Sequence, residues 1–262
     1  MTVPVRANVV SSFTVVKGAM IGETYATLAS WDLEISKKEN LDRLREENYI
    51  GAASDTWLRD IAWVINRRLD PNGRDRALVI LAQGGCPLEE WKPIFLWHIS
   101  RDEFLVRDFF VNWLFHEYDD GAFHLRRDDV RDYLGTLSMR GGKTVHKWTD
   151  NTTSRVAGGL LKMAVEFGLL RGGSVKEFAG YHLPERSLLY LLHAVLEYED
   201  GSPSRLMDSP EWRMYLIRPA DLQSAVLRLH QFRALDYQVA GTLVQLSLPY
   251  PRAFNYAEAM VA

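Results

Sequence analysis

The chain has 262 residues, which is enough for one large domain or two smaller ones. Apolar residues make up 47% and charged residues 25% of the sequence, and this ordinary composition excludes a disordered, collagen-like or low-complexity protein. The formal net charge is −3, so no strong overall charge bias points to one class of partner.

Several features indicate a cytoplasmic protein without a membrane partner. The apolar stretches, such as residues 77–82, are far shorter than the ~20 residues that span a bilayer. The first residues lack the charged and apolar segments of a secretory signal. Cys86 is the single cysteine, so neither an internal disulfide nor a thiolate metal cluster can form.

Positive charge is concentrated in the middle of the sequence. Residues 126–162 carry eight Lys and Arg against four Asp and Glu, whereas residues 1–125 carry 14 against 19 and residues 163–262 carry nine against 11. Such a local surplus is typical of an anion-binding face, although a solvated charge cluster gives the same pattern.

Apolar residues recur at steps of three and four, which predicts a mainly α fold. Ser36 and Ser54 are suitable N-caps, and residues 70–73 (Asp-Pro-Asn-Gly) form a strong helix breaker. The predicted helices cover residues 18–30, 36–48, 54–69, 74–83, 88–100, 102–118, 126–137, 152–170, 184–198 and 220–232.

The predicted helix 54–69 carries a basic and aromatic stripe, in which Arg59, Trp63 and Arg67 follow one another at steps of four. This stripe is a candidate for phosphate or groove contact. An ordinary solvated face is equally compatible, because Asp55 can pair with Arg59 and because Arg67 lies where a cation complements the helix dipole.

The segment that follows contains a candidate catalytic motif. Glu90 and Lys92 have the Glu-x-Lys spacing of many metal-dependent nucleases, with Asp70 and Asp75 upstream as candidate ligands. Prolines on both sides place this motif in a turn or a first helical turn, so a nuclease is disfavoured. The aromatic residues of the region have helical spacing and are expected in the core: Trp91, Phe95, Trp97, Phe104, Phe109, Phe110, Trp113 and Phe115.

A division near residues 118–121 predicts two domains, an N-terminal helical domain of residues 1–120 and a C-terminal winged-helix-like domain of residues 121–262. Beyond this division, residues 141–144 (Gly-Gly-Lys-Thr) look like the end of a phosphate-binding loop. The motif requires glycine where Leu137 stands, so ATP binding is not supported. The cations Arg140, Lys143 and Lys147 of this loop are candidate DNA contacts.

The predicted helix 152–170 has an apolar face and a polar stripe with Arg155 and Lys162, both of which are candidate phosphate contacts. The hydroxyls of Thr152, Thr153 and Ser154 near its start are suitable phosphate or cap groups. An ordinary amphipathic helix is the alternative. The paired glycines at positions 158 and 159 either permit close approach of another backbone or mark a turn.

Alternating apolar and polar residues in segment 235–248 predict a β-hairpin. The hairpin directly follows the helix 220–232, an order found in winged helix-turn-helix modules. Arg228, Arg233, Gln238 and Gln245 are further candidates for DNA contact there, and solvated polar faces explain them as well.

Two groups of residues resemble the BrxA family of BREX bacteriophage-defence systems. The first runs from residues 12–14 (Ser-Phe-Thr) through residues 17–24 (Lys-Gly-Ala-Met-Ile-Gly-Glu-Thr), 31–32 and 40–41 to residues 67–69 (Arg-Arg-Leu). The second runs from residues 152–155 (Thr-Thr-Ser-Arg) to residues 168–170 (Gly-Leu-Leu). The resemblance covers residues 11–170. Within it, this sequence differs from the family at Gly158 and Gly159, where the family's helix is richer in Lys and Arg.

This resemblance implies a non-enzymatic accessory protein, without a cofactor, that binds double-stranded DNA. It also implies helix-turn-helix-like modules, so a helix-turn-helix-like segment is expected in the N-terminal domain, residues 1–120. Its implied partners are the other BREX components, namely a methyltransferase, an ATPase and a phosphatase-like protein. An adaptor that docks onto larger defence proteins without touching DNA is the alternative function.

Overall fold

The computed structural model describes residues 9–144, 147–241 and 243–262, and helices dominate this part of the chain. The first half begins with a short strand and continues as helices, the last two of which are joined by a π-helical turn, Phe109–Leu114. These elements are β1 Val9–Val10, α1 Phe13–Val16, α2 Ile21–Ala29, α3 Lys37–Glu47, α4 Asp55–Arg68, α5 Arg76–Gln83, α6 Leu88–Ser100, α7 Phe104–Asp108 and α8 Phe115–Asp119.

The second half mixes helices with short strands and contains two 3-10 turns, Leu137–Arg140 and Pro210–Tyr215. Its other elements are α9 Arg127–Gly135, β2 Lys143–Thr144, α10 Asp150–Glu166, β3 Leu170–Arg171, β4 Glu177–Phe178, α11 Glu185–Tyr198, α12 Pro203–Asp208, α13 Pro219–Gln231, β5 Asp236–Ala240, β6 Leu243–Ser247 and α14 Ala253–Val261. The predicted mainly α fold is confirmed.

Both predicted N-caps are confirmed. The Ser36 hydroxyl accepts a hydrogen bond from the backbone N–H of Glu39 at 3.2 Å, and the Glu39 carboxylate accepts one from the backbone N–H of Ser36 at 2.8 Å. This reciprocal pair is a capping box, which satisfies two backbone donors at the start of α3. The Ser54 hydroxyl accepts in the same way from the N–H of Trp57 at the start of α4.

The strands form small two-stranded sheets. β1 pairs with β2 in parallel, and β3 pairs with β4 antiparallel. Leu125, just before α9, forms an antiparallel bridge with Lys176, just before β4. The predicted C-terminal hairpin is confirmed, because β5 and β6 pair antiparallel with Tyr237 opposite Leu246.

The predicted aromatic core is confirmed for most of its members. Trp91, Phe95, Phe109 and Phe110 are fully buried, and the Trp91 and Phe95 rings stack at 4.7 Å. Phe167, just after α10, has its ring centroid 6.2 Å from those of Phe95 and Phe110. The core face of α10 therefore packs against aromatic side chains from the first half of the chain.

Several contacts cross the predicted division near residue 120. β1 pairs with β2, α1 packs on α10 and α5 packs on α14. Arg107 of α7 also pairs with the buried carboxylate of Glu211 at 2.6 Å. The two halves share buried contacts, and the division into residues 1–120 and 121–262 stays a prediction.

The predicted helices are present, but some of their ends differ from the prediction. α10 begins at Asp150 rather than Thr152, because Thr149 is its N-cap, and it ends at Glu166, shortly before Gly168 adopts a φ of 79°. Left-handed backbone of this kind favours glycine and stops an α-helix. Helices α1, α12 and α14 were not predicted, since each is short or follows a weak apolar pattern.

His98 belongs to a buried hydrogen-bond chain that joins α6 to α11. Its Nδ1 lies 2.6 Å from Oδ1 of Asp75, and its Nε2 lies 2.8 Å from the Tyr190 hydroxyl. The Asp75 carboxylate accepts from His98 and also from Arg101, so Nδ1 carries the proton and Nε2 accepts from Tyr190. Burial, with the nearby charge of Arg101, lowers the pKa of His98 to about 4.

This chain predicts a pH-dependent stability. Between the ordinary His pKa of 6.5 and the folded value of about 4, the unfolded chain binds a proton on His98 that the folded protein does not bind. A stabilisation on the order of 3 kcal/mol, complete above pH 6.5, is therefore lost as the pH falls to 4. Urea unfolding of the wild type and His98→Gln across this range measures the loss, and equal pH slopes would contradict it.

Candidate nucleic-acid interface

Helix α10 has one face in the core and the opposite face in solvent. Val156, Leu160 and Met163 are fully buried, as the spacing of apolar residues predicts. Arg155 and Lys162 point away from this buried face and are exposed. The helix is therefore packed against the core on one side and presents its cations on the other.

The second glycine of α10 is where α1 approaches the helix. A Cβ atom at Gly159 would lie 2.5 Å from the carbonyl oxygen of Val15, which is closer than a methyl group tolerates. The interpretation that paired glycines permit close backbone approach is confirmed at this position. The alternative, a turn between two shorter helices, is wrong because α10 runs unbroken through both glycines.

The two cations of the stripe differ in their surroundings. In the part of the chain that the structure describes, no carboxylate lies within ion-pair distance of Arg155. The Lys162 ammonium lies 3.4 Å from the Glu166 carboxylate, yet its side chain is 65% exposed. Glu166 also accepts a hydrogen bond from the backbone N–H of Ala19 at 2.8 Å, so its carboxylate is shared between Lys162 and the α1–α2 loop.

The hydroxyls at the start of α10 are organised around the N-cap. The Thr149 hydroxyl accepts from the backbone N–H of Thr152 at 3.2 Å and lies 3.0 Å from the Thr152 hydroxyl. The Thr153 hydroxyl donates to the Thr149 carbonyl at 3.1 Å, and Ser154 is half-buried. Thr149, rather than the three predicted residues, is therefore the capping side chain.

The loop before α10 contributes two exposed cations. Lys143 lies in β2, which pairs with β1, and Lys147 lies two residues before the N-cap, so both are exposed on the approach to α10. The Arg140 backbone closes a 3-10 turn, but the predicted site at its side chain lies outside the described part of the structure.

The predicted stripe of α4 is largely used in local contacts. Arg67 pairs with the nearly buried carboxylate of Glu103 at 3.3 Å, and its guanidinium lies 5.8 Å from the Trp63 ring. Arg59 donates to the main-chain carbonyl of Asp55 at 3.3 Å rather than to its carboxylate. Both arginines are nevertheless exposed.

Contacts through α1 place α4 and α10 on neighbouring parts of the surface. The rings of Phe13 and Trp63 meet at 3.7 Å, and Lys17 pairs with Asp60. Since α1 also packs on α10, it lies between the two helices that carry the predicted cations. The candidate DNA contacts on α4 and α10 are therefore separated by one short helix.

Arg68, at the end of α4, organises the neighbouring loop, a role that the sequence does not predict. It is 1% exposed and donates to the carbonyls of Gly18 and Ala19, both at 2.9 Å. Burial lowers the pKa of its guanidinium to about 10. Arg68 thereby anchors the loop on which Glu166 also acts.

The residues considered for catalysis have structural partners. The Glu90 carboxylate pairs with Arg186 at 2.9 Å, and Asp75 is buried against His98. Gly142 is packed, since a Cβ there would lie 2.9 Å from Val10 and Phe104 side-chain atoms. Across residues 9–144, 147–241 and 243–262, no group of three or more His, Cys, Asp or Glu is arranged to hold a metal ion.

These observations define a mainly helical protein with small two-stranded sheets and a cation-bearing helix exposed on one side. The BrxA family model matches residues 11–194, which is well over half of the chain, so the protein belongs to the BrxA family. Membership makes it a component associated with BREX defence. No curated protein matches the sequence, and none of the described helices has the length and apolarity needed to cross a bilayer.

The close contact at Gly159 gives a test of how α10 is held. In Gly159→Ala, the new methyl group must displace the Val15 carbonyl, so we expect the free energy of unfolding to fall by about 1–3 kcal/mol. The control is Gly22→Ala in α2, where the methyl group meets no atom within 4 Å. That variant gains helix propensity of up to ~1 kcal/mol. Thermal unfolding measures both variants. If Gly159→Ala is as stable as Gly22→Ala or more stable, the close contact between Gly159 and Val15 is contradicted.

Proposed function

We propose that this protein is a non-enzymatic, double-stranded-DNA-binding accessory component of a BREX defence system, and that it binds mainly through phosphate contacts. The observation that carries the proposal is the exposed stripe of α10, where Arg155 has no acidic partner among the described residues. An arginine left free on a rigid helix is available for a phosphate oxygen.

The order of elements around α10 supports a winged-helix reading of this region. Leu125 precedes α9, α10 follows, and β3 and β4 then pair and bridge back to Leu125 through Lys176. In helix-turn-helix proteins the second helix enters the major groove, and here that helix is α10. The β3–β4 turn would be the wing, and its exposed Arg171 lies 3.5 Å from the Glu177 carboxylate.

The C-terminal hairpin is a weaker candidate for the main DNA contact. It follows α13 in the same helix-to-hairpin order, but Arg228 of α13 pairs with Glu185 at 3.2 Å. Arg233 adopts a φ of 60° in the turn that leads to β5. Arg228 is therefore less available to a phosphate than Arg155, which has no carboxylate within ion-pair distance among the described residues.

One observation favours an adaptor as the second candidate function. Apolar side chains are exposed around α13 and the hairpin, with Phe232 71% and Leu243 59% exposed. Exposed apolar groups in one region are typical of protein docking surfaces. The methyltransferase, ATPase and phosphatase-like protein of the system are the proposed partners in either case.

Phosphate contacts predict a steep salt dependence and little sequence preference. We expect the duplex affinity to fall linearly with salt concentration on logarithmic axes. The charge reversals Arg155→Glu and Lys162→Glu, made together, should weaken binding at least about tenfold on unrelated duplex sequences alike. Fluorescence anisotropy with two labelled duplexes of different sequence measures both effects.

The matched control is Arg45→Glu on α3, an exposed helical arginine that pairs with Asp42 at 3.0 Å. It changes the net charge by the same amount as each single reversal on α10, but at a site away from α10, and should alter the affinity little. If the wild-type protein binds no duplex at low salt, the DNA-binding proposal is wrong and the adaptor function takes its place. Equal weakening by the control and by the α10 variants would remove α10 from the site.

A further inference from the structure

Helix α9 places a guanidinium against the exposed side of α10. A Cβ atom at Gly158 would lie 3.3 Å from Nε and 3.6 Å from Cζ of Arg127, the first residue of α9. The space that a side chain at position 158 would fill is therefore occupied by the Arg127 side chain. Gly159, one residue on, faces α1 instead, so the two glycines serve different neighbours.

Position 158 lies on the same side of α10 as the two cations of the stripe. It follows Arg155 by three residues and precedes Lys162 by four, and side chains at these spacings are neighbours on a helix surface. The steps correspond to ~4.5 Å and ~6 Å along the helix axis. Arg127 thus adds a third cation between Arg155 and Lys162, although it comes from another helix.

The contacts of Arg127 give no stabilising reason for a cation at this position. It is exposed, and within the described ranges no carboxylate lies within ion-pair distance of it, although Asp128 and Asp129 follow it in the same turn. Asp129 accepts from the backbone N–H of Arg126 at 2.6 Å. A cation at the first position of a helix is also disfavoured by the helix dipole.

We propose that Arg127 is a DNA-phosphate contact and that Gly158 is the residue that makes room for it. This inference deepens the proposed DNA binding and rests on it. The three cations form one row, in which α9 supplies the central charge and α10 supplies the flanking charges. A side chain at position 158 would displace the guanidinium from this row.

The test compares duplex binding of the full-length wild type and variants by fluorescence anisotropy between 50 and 200 mM salt. Arg127→Ala should weaken binding by about three- to tenfold and reduce the slope of log affinity against log salt by about 1. The double variant Arg127→Ala/Gly158→Arg returns a guanidinium to the row from α10 itself and should restore the affinity to within about twofold of the wild type. Thermal unfolding of each variant shows that the fold is retained.

The outcomes separate this inference from the proposed function. If Arg155→Glu weakens binding and Arg127→Ala does not, Arg127 is not a contact, and DNA binding through α10 stands. If Arg127→Ala weakens binding and the double variant stays weak, the assignment of the space above Gly158 is overturned. Wild-type protein that does not bind duplex DNA overturns both proposals.

Discussion

Close packing of α10 between α1 and α9 is the constraint on which the exposed surface depends. At Gly159 the α1 backbone comes so near that a methyl group would overlap the Val15 carbonyl, and at Gly158 the Arg127 guanidinium lies against the helix. The opposite face is buried against the aromatic core through Phe167. With three sides held, α10 presents a fixed row of side chains, and a fixed row loses little conformational freedom when it binds.

Electrostatics decides which cations are free to act. The chain is slightly acidic overall, and many of its arginines are matched with carboxylates, as Arg107 is with Glu211 and Arg228 is with Glu185. Arg155 lacks such a partner within the described residues, and Lys162 shares its partner with a backbone N–H. Local surplus of positive charge, rather than net charge, therefore supports an interaction with DNA.

The sequence was sufficient to predict the helices, the N-caps, the aromatic core and the C-terminal hairpin, because these depend on local spacing and capping chemistry. It predicted the Arg155 and Lys162 stripe for the same reason. It did not predict Arg127 beside Gly158 or Arg68 beneath the α1–α2 loop, since both depend on which helices meet in three dimensions. Thr149 was missed as the N-cap because neighbouring hydroxyls compete for that role in the sequence. The two-domain division stays a prediction.

Hydrogen–deuterium exchange of the full-length protein, with and without a saturating duplex, tests the central claim most directly. If DNA lies on α10, amides of residues 150–158 and the start of α9 should exchange more slowly in the complex, because the duplex covers and stiffens both helices. Slower exchange confined to residues 219–247, with α9 and α10 unchanged, would contradict the account.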